Sequence, residues 1–120
     1  MALDVLDHGP IPHAALRRYD DSDIETGLEQ CGYSADRAVY RLIEADLDDF
    51  EDVRNFPLQW QPNNAIERLR SGEDVPPIVV VQANRGLGFG IIDGLNRAYA
   101  HWLLGRPRIA AYELLVSEQP

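Results

Sequence analysis

Between Pro76 and Leu115, short apolar runs alternate with turn residues and one helical stretch, and that order constrains the fold more than any other feature. Pro76-Pro77 cannot sit inside a helix and leads into Ile78-Val79-Val80-Val81, a wholly β-branched run that predicts a short buried strand. Asn84-Arg85-Gly86 has the composition of a hairpin tip, and Gly88 to Ile92 reads as the returning strand. Asp93-Gly94 then turns the chain into a helix, Leu95 to Leu104, which stops at Gly105 with Pro107 just beyond. Arg108 to Leu115 is the last strand. Within the helix, Leu95, Ala98, Tyr99 and Trp102 fall at i, i+3, i+4 and i+7. That spacing predicts the core-facing stripe and leaves Asn96 and Arg97 off its centre.

The region before Pro76 is less regular. Residues 1–20 hold Gly9, Pro10 and Pro12 and read as an irregular arm. Ser22-Asp23-Ile24-Glu25 is a capping box, and Ile24, Leu28 and Cys31 give a short helix to about Gly32, with Cys31 on its buried face. Ser34 to Ala38 is a connector. Ala38 to Ile43 is rich in β-branched and aromatic residues and reads as a strand, with a helix continuing from Ser34 as the rival. Asp46 to Asp52 is an acidic turn. Pro57 and Pro62 bracket a loop in which Phe56 and Trp60 either fill the core or cover a ligand's base. Asn63 or Asn64 caps a helix, Ala65 to Arg70, that ends at Gly72. The organisation expected is a helical N-terminal extension over 1–37 and an α/β (α+β) domain over 38–120, a small mixed sheet with packed helices.

Charge is unevenly divided. The first sixty residues carry five arginines against fourteen aspartates and glutamates, and the last sixty carry six of each. The net charge of −9 therefore resides in the first half. Duplex DNA binding needs a broad basic face to displace counterions, so autonomous DNA binding is not expected. Any phosphate site must be local and built from a few arginines. The chain has no lysine, which excludes a P-loop lysine, a Schiff base and a lysine general base. With no apolar run near the ~20 residues of a membrane span, no visible signal peptide and a lone cysteine, the expectation is a soluble cytoplasmic protein.

The strand–turn–helix at Asp93 to Arg97 is where chemistry is expected. Free amides and the dipole make a helix N-terminus a phosphate site. A cation in the first turn opposes that dipole, at a typical cost of ~0.3–1 kcal/mol. Arg97 must therefore either pair with Asp93 or share an anionic ligand with the backbone amides and Asn96. Its planar fork suits a phosphate bidentately. Gly94 is consistent with a positive φ or with close approach of a ligand.

Val75-Pro76-Pro77-Ile78, the Gly-rich hairpin, Asp93-Gly94-Leu95-Asn96-Arg97-Ala98-Tyr99-Ala100 and Ile109-Ala110-Ala111 together resemble the ParB/sulfiredoxin-like superfamily over roughly residues 38–116. The resemblance implies a nucleotide triphosphate of the ATP or CTP type, with Mg²⁺, held at this helix N-terminus. Gly94 and Arg97 match the phosphate-binding glycine and arginine, and Asn96 stands where sulfiredoxins have histidine. Leu95 stands where they have the catalytic cysteine, so sulfinic acid reduction is not expected. Asn64 and Arg68, one turn apart on the helix resembling the family's other nucleotide-contacting helix, either reach the same ligand or are solvated. The chain has no room for the DNA-reading helices of ParB proteins.

Other candidates read as structural. Gly86-Leu87-Gly88-Phe89-Gly90 precedes a strand and serves hairpin flexibility better than a dinucleotide loop. The cluster Glu44, Asp46, Asp48, Asp49, Glu51, Asp52 is by default a solvated turn, with a magnesium ligand or general base as the alternative. His101 reads as a surface residue or as flanking the site. His8 and His13 lack further zinc ligands. The leading expectation is a nucleotide-phosphate-binding protein, a phosphotransferase or NTPase in its enzymatic form. The rival is a non-catalytic immunity- or antitoxin-like module that binds a protein partner through the acidic first half.

Overall fold

The computed structural model describes residues 3–20, 22–50, 53, 62–82 and 89–115. Among these are five strands: β1 (Leu3–Pro12), β2 (Val39–Asp46), β3 (Ile78–Gln82), β4 (Phe89–Asp93) and β5 (Arg108–Leu114). There are three α-helices: α1 (Ile24–Gln30), α2 (Asn63–Arg70) and α3 (Leu95–Leu103). The Phe56–Trp60 loop with Pro57, the hairpin tip 84–86, Gly88, Glu51 and Asp52 lie outside the described residues. No described helix is long and apolar enough to cross a membrane.

The strands form one mixed sheet in the order β1-β2-β5-β3-β4. β1 pairs antiparallel with β2, β2 with β5, and β3 with β4, while β3 and β5 run parallel. A parallel pair needs a crossover, and β4 followed by α3 supplies it.

Side chains alternate across each central strand, so both faces of the sheet are buried. Ile43, Ala45, Ile78, Val80, Ile109 and Ala111 face one core, which Ala98 and Tyr99 of α3 close. Tyr40, Val79, Tyr112 and Leu114 face the other, which Leu16, Ile24 and Leu28 close. The N-terminal segment is thus a layer of the structure. α1 lies so close to β4 that a Cβ on Gly27 would sit 2.8 Å from the Ile92 carbonyl oxygen.

Several sequence expectations need correction. The irregular arm expected over 1–20 gives way over Leu3–Pro12 to β1, a ten-residue edge strand paired with β2, while the helix expected within 1–37 is present as α1. Proline is tolerated on an edge because the outward N–H has no ladder partner to lose. Register shifts between Val5 and Asp7 and between Asp7 and Ile11 absorb the Gly9-Pro10 region. The N-cap of α1 is Asp23, whose carboxylate accepts from the Thr26 amide at 3.3 Å, and not Ser22. α2 begins at Asn63 after Pro62 and has no side-chain cap. Cys31 is exposed, because it is the residue at which α1 ends and the chain reverses through Gly32 at φ 86°.

The α3 stripe holds at Ala98 and Tyr99 but not at Leu95 and Trp102. Ala98, Tyr99 and Ala100 are buried with Arg97, while Leu95 is 36% and Trp102 42% exposed. α3 turns Ala98, Tyr99 and Ala100 inward, and its end residues Leu95 and Trp102 lie at the margin of that face.

The acidic residues of β2 are tied to the sheet. Arg108 bonds Glu44 at 3.0 Å, Asp46 at 3.1 Å and Asp4 at 3.1 Å, stitching β5 to β2 and β1. Arg41 and the buried Glu113 pair across the β2–β5 register.

Candidate functional site

β4 ends at Asp93 and α3 starts at Leu95, so Gly94 alone makes the turn. Its φ is 102°, a region costly for any residue with a Cβ. A Cβ there would also sit 2.8 Å from Ile78 Cβ and 2.7 Å from Arg97 Nη2. Glycine is required both by conformation and by the closeness of β3 and Arg97. The Gly94 carbonyl accepts from the Ala98 amide at 3.0 Å, which leaves the first-turn amides without helical acceptors.

Arg97 is only 7% exposed. Its Nη2 donates to Asp93 Oδ2 at 3.1 Å, so of the two roles the sequence leaves open to Arg97, pairing with Asp93 is formed. The pair does not use the whole guanidinium: Nε is buried and has no partner among the described residues. Nε–H is a donor only, so what it lacks is an acceptor.

Arg97 opens onto a cleft of about 470 Å³. The structure brings all six sequence-selected residues to its lining: Asp93, Gly94, Asn96 and Arg97 from the β4–α3 turn, and Asn64 and Arg68 from α2. Asn64, Asn96 and Arg68 are exposed there. Leu95 also lines the cleft and brings no nucleophile. Arg68 Nε lies 3.9 Å from Glu73 Oε2, a long and solvent-exposed contact that is weak in water.

The remaining wall could not be read from the sequence. It comes from the N-terminal segment, through Tyr19, Ser22 and Asp23. The Tyr19 ring lies beneath both cleft arginines, with Arg68 Cζ 4.5 Å and Arg97 Cζ 5.2 Å from its centroid. Its hydroxyl is buried and unpartnered among the described residues. Nothing in the local sequence marks Tyr19; only the pairing of β1 and the docking of α1 bring it to the cleft.

The other candidates do not reach it. His101 lines a separate cavity of about 190 Å³ behind Arg97, and its Nδ1 is buried and unpartnered among the described residues. Burial holds its pKa below the ordinary histidine value, against a hydrogen bond with the Arg108 backbone. It is half-buried and not a simple surface histidine. Cys31 does not line the cleft. No group of three histidine, cysteine, aspartate or glutamate side chains arranged for a metal occurs among the described residues.

A second polar cluster lies in the N-terminal layer. His13 Nδ1 is 2.8 Å from the Tyr40 hydroxyl, and Nε2 is 2.5 Å from Glu25. Glu25 also accepts from Arg18 at 2.5 and 2.9 Å. A carboxylate only accepts, so in the neutral imidazole Nε2–H donates to Glu25 and Nδ1 accepts from Tyr40. The Arg18 and His13 hydrogen bonds hold the Glu25 carboxyl down to about 2. Burial pushes the Tyr40 phenol up to about 12. This cluster joins β1, β2 and α1, and it does not line the cleft.

Comparison with protein-family models and with curated proteins finds no match to this chain.

Proposed function

We propose that the cleft between the β4–α3 turn, α2 and the N-terminal segment binds the phosphates of a nucleotide, in a fold of ParB/sulfiredoxin-like type. The observation that carries this reading is Arg97: a guanidinium almost fully buried at a helix N-terminus, with Nε–H still lacking an acceptor. A phosphate oxygen there would meet Nε–H, the free first-turn amides and Arg68 together. The cleft volume of about 470 Å³ falls within the ~300–1,000 Å³ of small-ligand pockets. Asn64 and Asn96 then contribute amide hydrogen bonds along the ligand.

Magnesium fits this cleft only as a companion of the phosphates. Among the described residues, the carboxylates facing it are Asp23 and Asp93, and Asp93 already accepts from Arg97. The ion would neutralise phosphate charge, with Asp23 as its available protein oxygen. The activity in this reading is a phosphotransferase or NTPase, without sulfinic acid reduction because Leu95 cannot attack. Its setting is the cytoplasm.

Isothermal titration with ATP, CTP and ADP in the presence of Mg²⁺ tests the reading. Arg97→Ala removes a charge-assisted contact typically worth ~1.5–3 kcal/mol, so the expected loss is about 10–100-fold in affinity. Absence of binding by the wild type to every nucleotide would sink the proposal.

A second reading is favoured by the Asp93–Arg97 pair, because it already balances the Arg97 charge. In that reading the chain is a non-catalytic immunity- or antitoxin-like module. Its exposed acidic residues, such as Asp4 and Asp7 on the β1 edge, then face a basic protein partner. Strongly salt-dependent capture of such a partner without nucleotide affinity would select it.

A further inference from the structure

We infer that Tyr19 is a ligand-binding residue of the cleft and that the anion it completes is a terminal phosphate, carried by a phosphate monoester or by the end of a polyphosphate. The inference rests on the phosphate reading of the cleft and goes beyond it in residue and in ligand class.

Buried tyrosine hydroxyls ordinarily find a hydrogen-bond partner. The Tyr19 hydroxyl has none among the described residues, and neither does Arg97 Nε. Both residues line the same cleft. Nε–H can only donate, and a phenol donates readily, so the deficit in this corner is one of acceptors. An anion whose oxygens only accept answers it.

The charges agree. Arg68 and Arg97 gather over one ring, 4.5 and 5.2 Å from its centroid, so their guanidinium carbons are held no more than 9.7 Å apart (4.5 plus 5.2). An anion placed between them would be attracted by both. Asp93 pairs with Arg97 through Nη2 and leaves Nε.

Tyr19 is placed firmly. The Arg17 amide donates to the Tyr112 hydroxyl on β5 at 3.1 Å, and the Arg17 guanidinium pairs with Asp74 at 3.1 Å. Arg18 donates to Glu25 and to the Ser22 carbonyl. The segment before Tyr19 is thus fastened to the sheet through the Arg17 amide and to α1 through Arg18, while the solvent-exposed Arg17–Asp74 pair adds little. A ligand finds the phenol already in position, and preorganisation of this kind is what a binding site requires.

The number of donors sets the ligand class. Tyr19, Arg97 with the first turn of α3, and Arg68 of α2 line the cleft from three segments of the chain. A phosphodiester exposes two unesterified oxygens and a terminal phosphate three. Only the terminal group meets donors on three sides at once.

The test compares wild type with Tyr19→Phe, which keeps the ring and its arginine contacts and removes only the hydroxyl. Titrations use ADP, pyrophosphate and a cyclic nucleotide monophosphate, with thermal melting of both proteins. Tyr19→Phe is expected to bind ADP and pyrophosphate about tenfold more weakly, and the cyclic diester is expected not to bind either protein. The unliganded Tm of the variant should equal or exceed that of wild type, since an unpartnered hydroxyl is lost. Equal affinities for wild type and Tyr19→Phe, or binding of the cyclic diester as tight as ADP, would overturn the inference and leave the nucleotide reading standing. Tyr19-dependent binding of pyrophosphate without any nucleotide would uphold the inference and overturn that reading. Binding of neither anion would overturn both.

Discussion

His13 and Tyr19 stand six residues apart in one N-terminal segment, and their polar atoms have opposite fates. Both ring nitrogens of His13 are engaged, with Tyr40 and Glu25, and Glu25 is engaged again by Arg18. The Tyr19 hydroxyl and the neighbouring Arg97 Nε have no partner among the described residues. The first arrangement is closed and holds β1, β2 and α1 together. The second is unsatisfied, and both of its residues line a cleft. Buried polar groups are satisfied almost everywhere in native proteins, so a satisfied network is architecture and an unsatisfied one lying in a cavity asks for a ligand.

The comparison can be broken at its strongest point first. His13→Ala leaves the fully buried Tyr40 hydroxyl without its acceptor, at a cost of about 1–3 kcal/mol in urea unfolding. Adding Tyr40→Phe should then recover part of the loss, because the orphaned hydroxyl goes too. No recovery would show that the network is not closed.

The next effect is the pH profile. The folded-state carboxyl of Glu25 is lowered to about 2 from an ordinary 4.5, chiefly by the Arg18 hydrogen bond and then by that of His13. Its contribution is therefore complete above about 4.5 and is lost as pH falls toward 2. Tyr40, raised to about 12 from 10.0 by burial, acts at the other end: its contribution is complete below 10 and is lost as pH rises through 12. Glu25→Gln should flatten the acid limb of unfolding free energy relative to wild type, and Tyr40→Phe the alkaline limb. An unchanged acid limb in Glu25→Gln would contradict the assignment.

The smallest effect belongs to the cleft. Replacing the ion pair as a unit, D93N/R97M, should change stability by less than about 1 kcal/mol, because buried ion pairs and their near-isosteric replacements are often close in stability. Anion binding should nevertheless vanish. A large destabilisation without loss of binding would make the pair architectural.

The β4–α3 turn was legible in the sequence because its signals are local. A β-branched run, an Asp-Gly step and a helix that stops at glycine follow from backbone preferences of a few residues. Arg97 could be singled out because a cation in a first helical turn conflicts with the dipole. β1 was not legible: Gly9, Pro10 and Pro12 suit an irregular arm as well as an edge strand, and only pairing with Val39–Asp46 decides between them. The α3 stripe was legible at Ala98 and Tyr99 and misled at Leu95 and Trp102, which lie at helical spacing yet remain outside the core. Tyr19 carries no local signal at all. Its place follows from contacts of Arg17 and Arg18 with residues up to 95 positions away.

The same N-terminal segment has a consequence at the margins of the sheet. β1 forms one edge, and its prolines and the exposed Asp4 and Asp7 make that edge a poor template for another strand. β4 forms the other, and α1 lies against it so tightly that only glycine fits opposite the Ile92 carbonyl. β1 and α1 thus guard both ends of the sheet, and the segment between them completes the cleft. A chain deprived of them would present β2 and β4 as bare, largely apolar edges, so the segment that shapes the site also protects the protein from aggregating with its own copies.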